Sequence, residues 1–313
     1  MSKLLVGLGR IKERTDTIEI VDLNSASTTC SNLPNFPQEL QGSFGGIGFH
    51  DQPIICGGTD SNWTFSNKCF SLEGNKWTPS PSLNIARVWA AASPSPYPSK
   101  SQKLFVTGGT DETRDGLNTT EVLTEQGWKT LEQKLPALIE DHCSVLVNAT
   151  TVMIIGGMQN DSVPTNTYYF NTENEIWTEG PSFKNRRFSH SCGKIRTNNQ
   201  SQEFSIIIAG GYDGAPYLSS VEILDPGSKE WRKGPELPLG ITDAQMVEDQ
   251  NGGVVLVGGS YYYNSTTSYY LDTLYQLPHA GPTAEWTKMK QKLKKGRSSH
   301  VAFLVPDTVA KCA

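Results

Sequence analysis

The chain reads as an all-β protein, a six-bladed β-propeller, on three observations. An apolar run closed by Gly-Gly recurs about every 50 residues, and a Trp follows most copies at near-constant distance. The two ends of the chain supply complementary strands of one sheet.

The runs are PIICGG ending at Gly58, LFVTGG at Gly109, VMIIGG at Gly157, SIIIAGG at Gly211 and VVLVGG at Gly259. Short apolar runs of this kind suit strands covered on both faces, and Gly-Gly lets the backbone leave where a Cβ would meet the next sheet. A short alternating strand then follows, as in TIEIVD (17–22), NTYYFN (166–171) and SVEILD (220–225). After a Gly/Asn/Ser turn comes Trp77, Trp128, Trp177, Trp231 or Trp286, then a Pro-rich corner. Trp286 stands further out because loop 260–270 is longer. Each period thus holds four short antiparallel strands, too small a sheet to bury its faces unless neighbours stack on it. The recurring Trp is the plate between sheets.

LLVGLG (4–9) is a weaker copy: Gly7-Leu8-Gly9 replaces the Gly pair, and Cys30 rather than a Trp lies beyond. The N-terminus has no first strand, and GRSSHVAFLV (296–305) is a first strand with no successor. Joined, they complete one blade and leave no open edge. The predicted blades are 297–305 with 3–33, then 43–80, 87–132, 141–180, 187–234 and 242–290, a single propeller domain over 1–313.

A net charge of −5 over 313 residues argues against a nucleic-acid partner, and no apolar stretch is long enough for a membrane span. The start has no apolar run of signal-sequence length, so the chain as written reads as cytoplasmic. Six cysteines and six N-x-S/T sequons, at Asn62, Asn118, Asn148, Asn160, Asn199 and Asn264, point instead to an extracellular setting. Both readings stay open at this stage. Cys56 and Cys69 fall on adjacent strands of one blade and are a candidate disulfide; Cys143 and Cys192 read as buried thiols, and Cys30 and Cys312 have no assigned partner.

Taken in register, the Gly-Gly, alternating strand and Trp resemble the kelch-repeat family over essentially the whole chain. The resemblance implies a ligand face made by the residues after each Gly-Gly and those opening each innermost strand. Carried over, these include Arg10, Lys12, Asp60, Asp111, Glu112, Tyr212, Asp213, Tyr261 and Tyr262 from the first set. The second set supplies Phe44, Trp89, Asp141, Ser189, Asp243 and Ser298. Arg87, Arg187 and Arg297 match the Arg that often opens a kelch strand, while Gly42, Ile139 and Ile241 do not. Arg10, Lys12 and Arg297 gather positive charge on the closing blade, and the acidic residues spread over the others, a pattern complementary to a basic segment with one acidic anchor. Four sequons, Asn62, Asn118, Asn160 and Asn264, fall in loops of this same face.

His142, His190 and His300 share one position on three innermost strands and are expected to hydrogen-bond in the central channel rather than hold a metal. No constellation like that of the galactose oxidase propeller appears, nor any P-loop, GxSxG, HExxH or CxxC pattern. The expected function is therefore binding without catalysis, metal or cofactor: an adaptor or scaffold capturing a protein or peptide. With no BTB segment in the chain, only the kelch scaffold transfers, not the ubiquitin-ligase role. The alternative is an extracellular glycosylated propeller with a structural or glycan-binding role.

Overall fold

Six small antiparallel sheets stand around a central channel in the computed structural model, which describes residues 3–25, 30, 32–93, 104–160, 162–214, 216–264, 267–310 and 312. Over 262–264 and 267–268 it describes the backbone alone. The closing blade, numbered first, sets Val301–Val305 innermost, then Lys3–Gly7 and Ile18–Asp22. Lys3 lies opposite Val305 and Gly7 opposite Val301, so the C-terminal strand completes the ring. The other five innermost strands are Phe44–Ile47, Ala91–Ser93, Cys143–Asn148, Ser191–Arg196 and Gln245–Glu248. Each opens a four-stranded sheet; the first blade shows three strands among the described residues. In the sixth blade the long loop folds into a separate ribbon, Ser260–Asn264 with Thr267–Tyr270.

The second strand of each blade, such as Leu4 to Val6, Ile206 to Ala209 and Val254 to Val257, is buried on both faces, as the apolar runs predict. The core lies between blades as six apolar clusters, one per seam. Trp231 belongs to the seam between the fourth and fifth blades, and its indole N–H donates to Pro181 O at 2.8 Å in the corner leaving the preceding blade. Trp77 and Trp286 make the same bond to Pro34 O and Pro235 O. Trp177 is only half-buried, tilted over Phe170 at 4.6 Å.

The second glycine of each pair donates its N–H to the residue that opens the next blade. Gly58, Gly157 and Gly259 reach the carbonyls of Arg87, Arg187 and Arg297 at 2.9, 3.1 and 2.8 Å. Gly9, Gly109 and Gly211 reach Leu40, Ile139 and Ile241 at 2.8, 2.8 and 2.7 Å. The first blade is therefore regular here: Leu8, at φ 61°, takes the left-handed conformation of the missing glycine. Leu40, not Gly42, is the register partner of the arginines, so the predicted alignment of the second blade shifts by two residues.

Two expectations are overturned, the first of them by that shift. Phe44 does not open onto the ligand face; it is 5% exposed, packed with Cys56, Cys69 and Leu83 between the second and third blades. Arg297 is no surface cation either. It is buried and pairs with Glu19 at 2.9 Å, as Arg87 pairs with Glu121 at 2.7 Å and Arg187 with Glu222 at 3.1 Å. In each case a guanidinium nitrogen also reaches a carbonyl of the glycine turn, at Leu8, Gly108 or Gly210. The carboxylate takes linker N–H groups from Lys294, from Asn84 and Ile85, or from Lys184 and Asn185. Each pair thus ties three segments of its blade together, its desolvation offset in part by these hydrogen bonds, while Nε of Arg87 and of Arg297 is buried without a partner.

All six cysteines are bonded. Cys56–Cys69 joins neighbouring strands as predicted, Cys143–Cys192 links the innermost strands of the fourth and fifth blades, and Cys30–Cys312 ties the two ends of the chain together. The last two pairings were not foreseen. Among the described residues no helix is long and apolar enough to cross a membrane.

Candidate functional site

Two residues beyond each blade-opening position the chain takes a left-handed turn. The six residues there are Gly42, Trp89, Asp141, Ser189, Asp243 and Ser299, with φ from 48° to 64°. Each donates its N–H to the carbonyl of its counterpart one blade back. Trp89 reaches Gly42 at 3.0 Å, Asp141 reaches Trp89 at 3.0 Å, and Ser189 reaches Asp141 at 2.8 Å. Asp243 reaches Ser189 at 3.0 Å, Ser299 reaches Asp243 at 3.1 Å, and Gly42 closes the circle on Ser299 at 3.0 Å. The result is a closed ring of six backbone hydrogen bonds around the channel mouth. Glycine and the short polar Asp accept such backbone most readily; of the others held in it, Trp89 is the bulkiest. Its indole lies over Gly42, where an added Cβ would sit 2.9 Å from the ring atoms.

The ring places four predicted residues, Trp89, Asp141, Ser189 and Asp243, side by side. Ser189 Oγ donates to Asp141 Oδ1 at 3.1 Å, and Ser299 Oγ donates to Asp243 Oδ1 at 3.0 Å. Burial, then the nearby Asp243 and Glu140 charges, push the Asp141 carboxyl well above the usual range. Burial also raises Asp243, against the Ser299 hydrogen bond and the Arg10 charge.

The loops after the glycine turns surround this ring. Arg10 and Lys12 are exposed beside the first blade. Asp60 and Asp111 fold back on their own loops, accepting N–H bonds from Asn62 and Thr64 and from Thr113. Glu112 is exposed, and Asp213 is half-buried next to Tyr212. Tyr212 meets Phe188 at 5.3 Å and Tyr217 at 5.6 Å, both edge-on. Tyr261 stacks on Tyr269 at 5.7 Å; the Tyr262 side chain lies outside the described residues. Ser298 departs from expectation: it is 3% exposed, and its backbone is spent on a bridge to Arg10.

Trp63 was missed by the sequence reading. It is 50% exposed, meets Trp89 edge-on at 6.3 Å, and carries the Arg14 guanidinium 4.9 Å above its ring. A signal was present: five of the seven Trp fall in blade register, and the two that do not, Trp63 and Trp89, both belong to this face.

Below the ring, the innermost strands enclose a channel of about 370 Å³ whose lining includes Lys194 and Glu248. The three histidines turn toward the preceding blade. Their Cε1 atoms fill the space left open at Gly108, Gly156 and Gly258. His142 Nε2 lies 2.9 Å from Thr107 Oγ1, and His190 Nε2 lies 3.4 Å from Cys143 Sγ. Burial, then the Arg87 and Arg297 charges, lower His142 and His300 to about 3, so both are neutral. No group of three His, Cys, Asp or Glu among the described residues is placed to hold a metal.

The sequons divide between the two ends of the propeller. Asn62 and Asn160 are exposed on the ring side, where Asn118 is half-buried, and the Asn264 side chain lies outside the described residues. Asn148 and Asn199 are exposed at the opposite end.

A family model described as the kelch motif matches residues 205–238, which is most of the fifth blade. A solved structure titled "Structure of YjhT" resembles the chain with a TM-score of 0.68 at 14% identity, covering 87% of this chain and 89% of that one. At that identity the likeness concerns the fold alone. No curated protein sequence matches the chain.

Proposed function

We propose that this six-bladed β-propeller, whose fifth blade matches the kelch motif, is a protein-interaction module whose partner docks over the six-residue ring. The observation that carries this reading is the pair of tryptophans outside the blade register. Packing between blades needs neither, yet Trp63 stands half-exposed and Trp89 holds a strained backbone beside it. Backbone strain of this kind persists where the surroundings over-determine it, often at binding sites. Large aromatics are efficient anchors, and Phe188, Tyr212, Tyr217 and Tyr261 extend the aromatic surface around the mouth. The charges favour a partner with a basic segment toward the loop carboxylates Asp60, Asp111 and Glu112 and an acidic anchor toward Arg10 and Lys12. Three disulfides that use every cysteine support an extracellular setting for this encounter.

A glycan is the second reading, favoured by the half-exposed Trp63 indole beside the Asp60 loop, since a sugar ring can stack on it. Both readings are tested with immobilised protein and its Trp63→Ala variant. Trp63→Ala is expected to change stability by less than about 0.5 kcal/mol, as for an exposed side chain, and to abolish retention of the partner. Retention of a protein by the wild type alone supports the first reading, and retention of oligosaccharides alone supports the second. Equal retention by wild type and variant would move the binding site off this face.

A further inference from the structure

We propose that Asn148 and Asn199 carry N-linked glycans, and that these shield the end of the propeller opposite the ring. Asn148 closes the innermost strand of the fourth blade, and Asn199 lies in the turn after the innermost strand of the fifth. The two strands run side by side from the ring, joined by Cys143–Cys192, so both sequons emerge from adjacent blades at the far end. Both Asn are exposed. Asn148 Oδ1 accepts the Thr150 N–H at 2.9 Å and its hydroxyl at 3.3 Å, which leaves Nδ2, the atom that takes the sugar, with no bond to hold it. At the second site Asn198 holds the turn, accepting N–H bonds from Gln200 at 2.9 Å and Ser201 at 3.0 Å, so the neighbouring Asn199 side chain is not needed there. A glycan at either position displaces nothing.

The ring-side sequons differ. Asn118 is half-buried, and its Thr120 is fully buried in strand Thr120–Thr124, while Leu135 donates its N–H to Asn118 O. Asn62 has bulky Trp63 in the middle position, and Asn160 has the acid Asp161; both residue types disfavour transfer, whereas Ala149 and Gln200 do not. In the transfer step, Nδ2 bonds to the anomeric carbon of a lipid-pyrophosphate-linked oligosaccharide. The carbon–oxygen bond to pyrophosphate breaks, pyrophosphate leaves with the electron pair, and Nδ2 loses one proton. The compartment that supplies this donor is also oxidising, which agrees with six bonded cysteines. The consequence that a partner is left the ring face rests on the reading above; the modification itself does not.

The test uses protein purified from its natural source with thiols blocked, then treated with peptide N-glycosidase in H₂¹⁸O. Peptide mass spectra are expected to show ¹⁸O-labelled Asp at positions 148 and 199 and unchanged Asn at 118. N148Q and N199Q should each remove one glycan mass, N199Q without shifting the melting temperature. Unmodified Asn148 and Asn199 would overturn the proposal whatever the ring face binds. A glycan at Asn62, beside Trp63, would count against the ring-face reading while leaving this one standing.

Discussion

The fifth blade is one continuous stretch of chain from Ser191 to Lys233, whereas the first is assembled from Val301–Val305 and the strands after Lys3. The fifth has Gly210-Gly211, four strands and Trp231 bonded to the preceding corner. The first has Leu8-Gly9, three strands among the described residues, and no Trp. Both keep the glycine-turn hydrogen bond, the buried Arg–Glu pair and the place in the ring. What differs is the outer wall. In the first blade Cys30–Cys312 packs there with Leu33, Phe36 and Ala310 against Trp77 of the second blade. A covalent link packs at the closure where an indole stands in the other blades.

The largest test of this contrast is Cys312→Ser. The bond closes a loop with a sequence separation of 282, for which the chain-entropy model gives about 5–6 kcal/mol. Cys56–Cys69, with a separation of 13, gives about 3 kcal/mol on the same basis. Denaturant unfolding should therefore rank Cys312→Ser well below Cys69→Ser. If the two are equal, the closing bond is not what holds the first blade.

Next in size is the element both blades share. Arg187→Leu and Arg297→Leu should each lose about 3–5 kcal/mol, because each strands a buried carboxylate. The second, fourth and sixth blades place Leu40, Ile139 and Ile241 at that position, so an apolar residue fits the site itself. Replacing Glu222 by Leu together with Arg187→Leu should therefore recover part of the loss. No recovery would mean that the linker N–H groups of Lys184 and Asn185 dominate the site.

The glycine period, the Trp spacing and the split blade were legible in the sequence because packing against both neighbours repeats the same demand six times. What was not legible depends on contacts between periods. Arg297 looks like any loop cation until Glu19, far away in the chain, is seen to face it. Phe44 was misplaced because a two-residue shift in the second blade exchanges a ring position for a core position, and Ser298 because it sits one residue before the ring member Ser299, where its backbone is tied to Arg10. The pairing of Cys143 with Cys192 needed the geometry of adjacent innermost strands. The ring at the channel mouth was half legible: Trp89, Asp141, Ser189 and Asp243 came from the repeat, and the neighbouring Trp63, which obeys no repeat, did not.

A smaller effect, shared by both blades, depends on pH. His300 in the first blade has a folded pKa of about 3 against an ordinary 6.5, so its neutral form favours folding. That stability is present above about pH 6.5 and is lost as pH falls toward 3, reaching about 2 kcal/mol at pH 5. His190 in the fifth blade is lowered in the same direction. Asp141 and Asp243 act oppositely: their raised values add stability at low pH that is lost as pH rises through the folded pKa. His300→Gln should flatten the fall in melting temperature between pH 7 and pH 5, while Asp141→Asn should steepen it. An unchanged slope in His300→Gln would mean that the imidazole is not sealed from water.

The smallest effect is expected at the one place where the first blade breaks the glycine rule. Leu8 is fully buried among Leu5, Ile18 and Val301, so Leu8→Gly forfeits about 2–3 kcal/mol of apolar burial. The same change relieves a left-handed conformation that disfavours a side chain by about 1–2 kcal/mol. The two terms oppose each other and leave a net loss near 1 kcal/mol, read as a small drop in the urea midpoint. A variant more stable than the parent would show that strain outweighs packing at this turn, and that the first blade departs from the fifth at a net cost to stability. A loss as large as that of a core Leu→Ala change, above about 3 kcal/mol, would show that the turn carries no strain and that Leu8 is simply core.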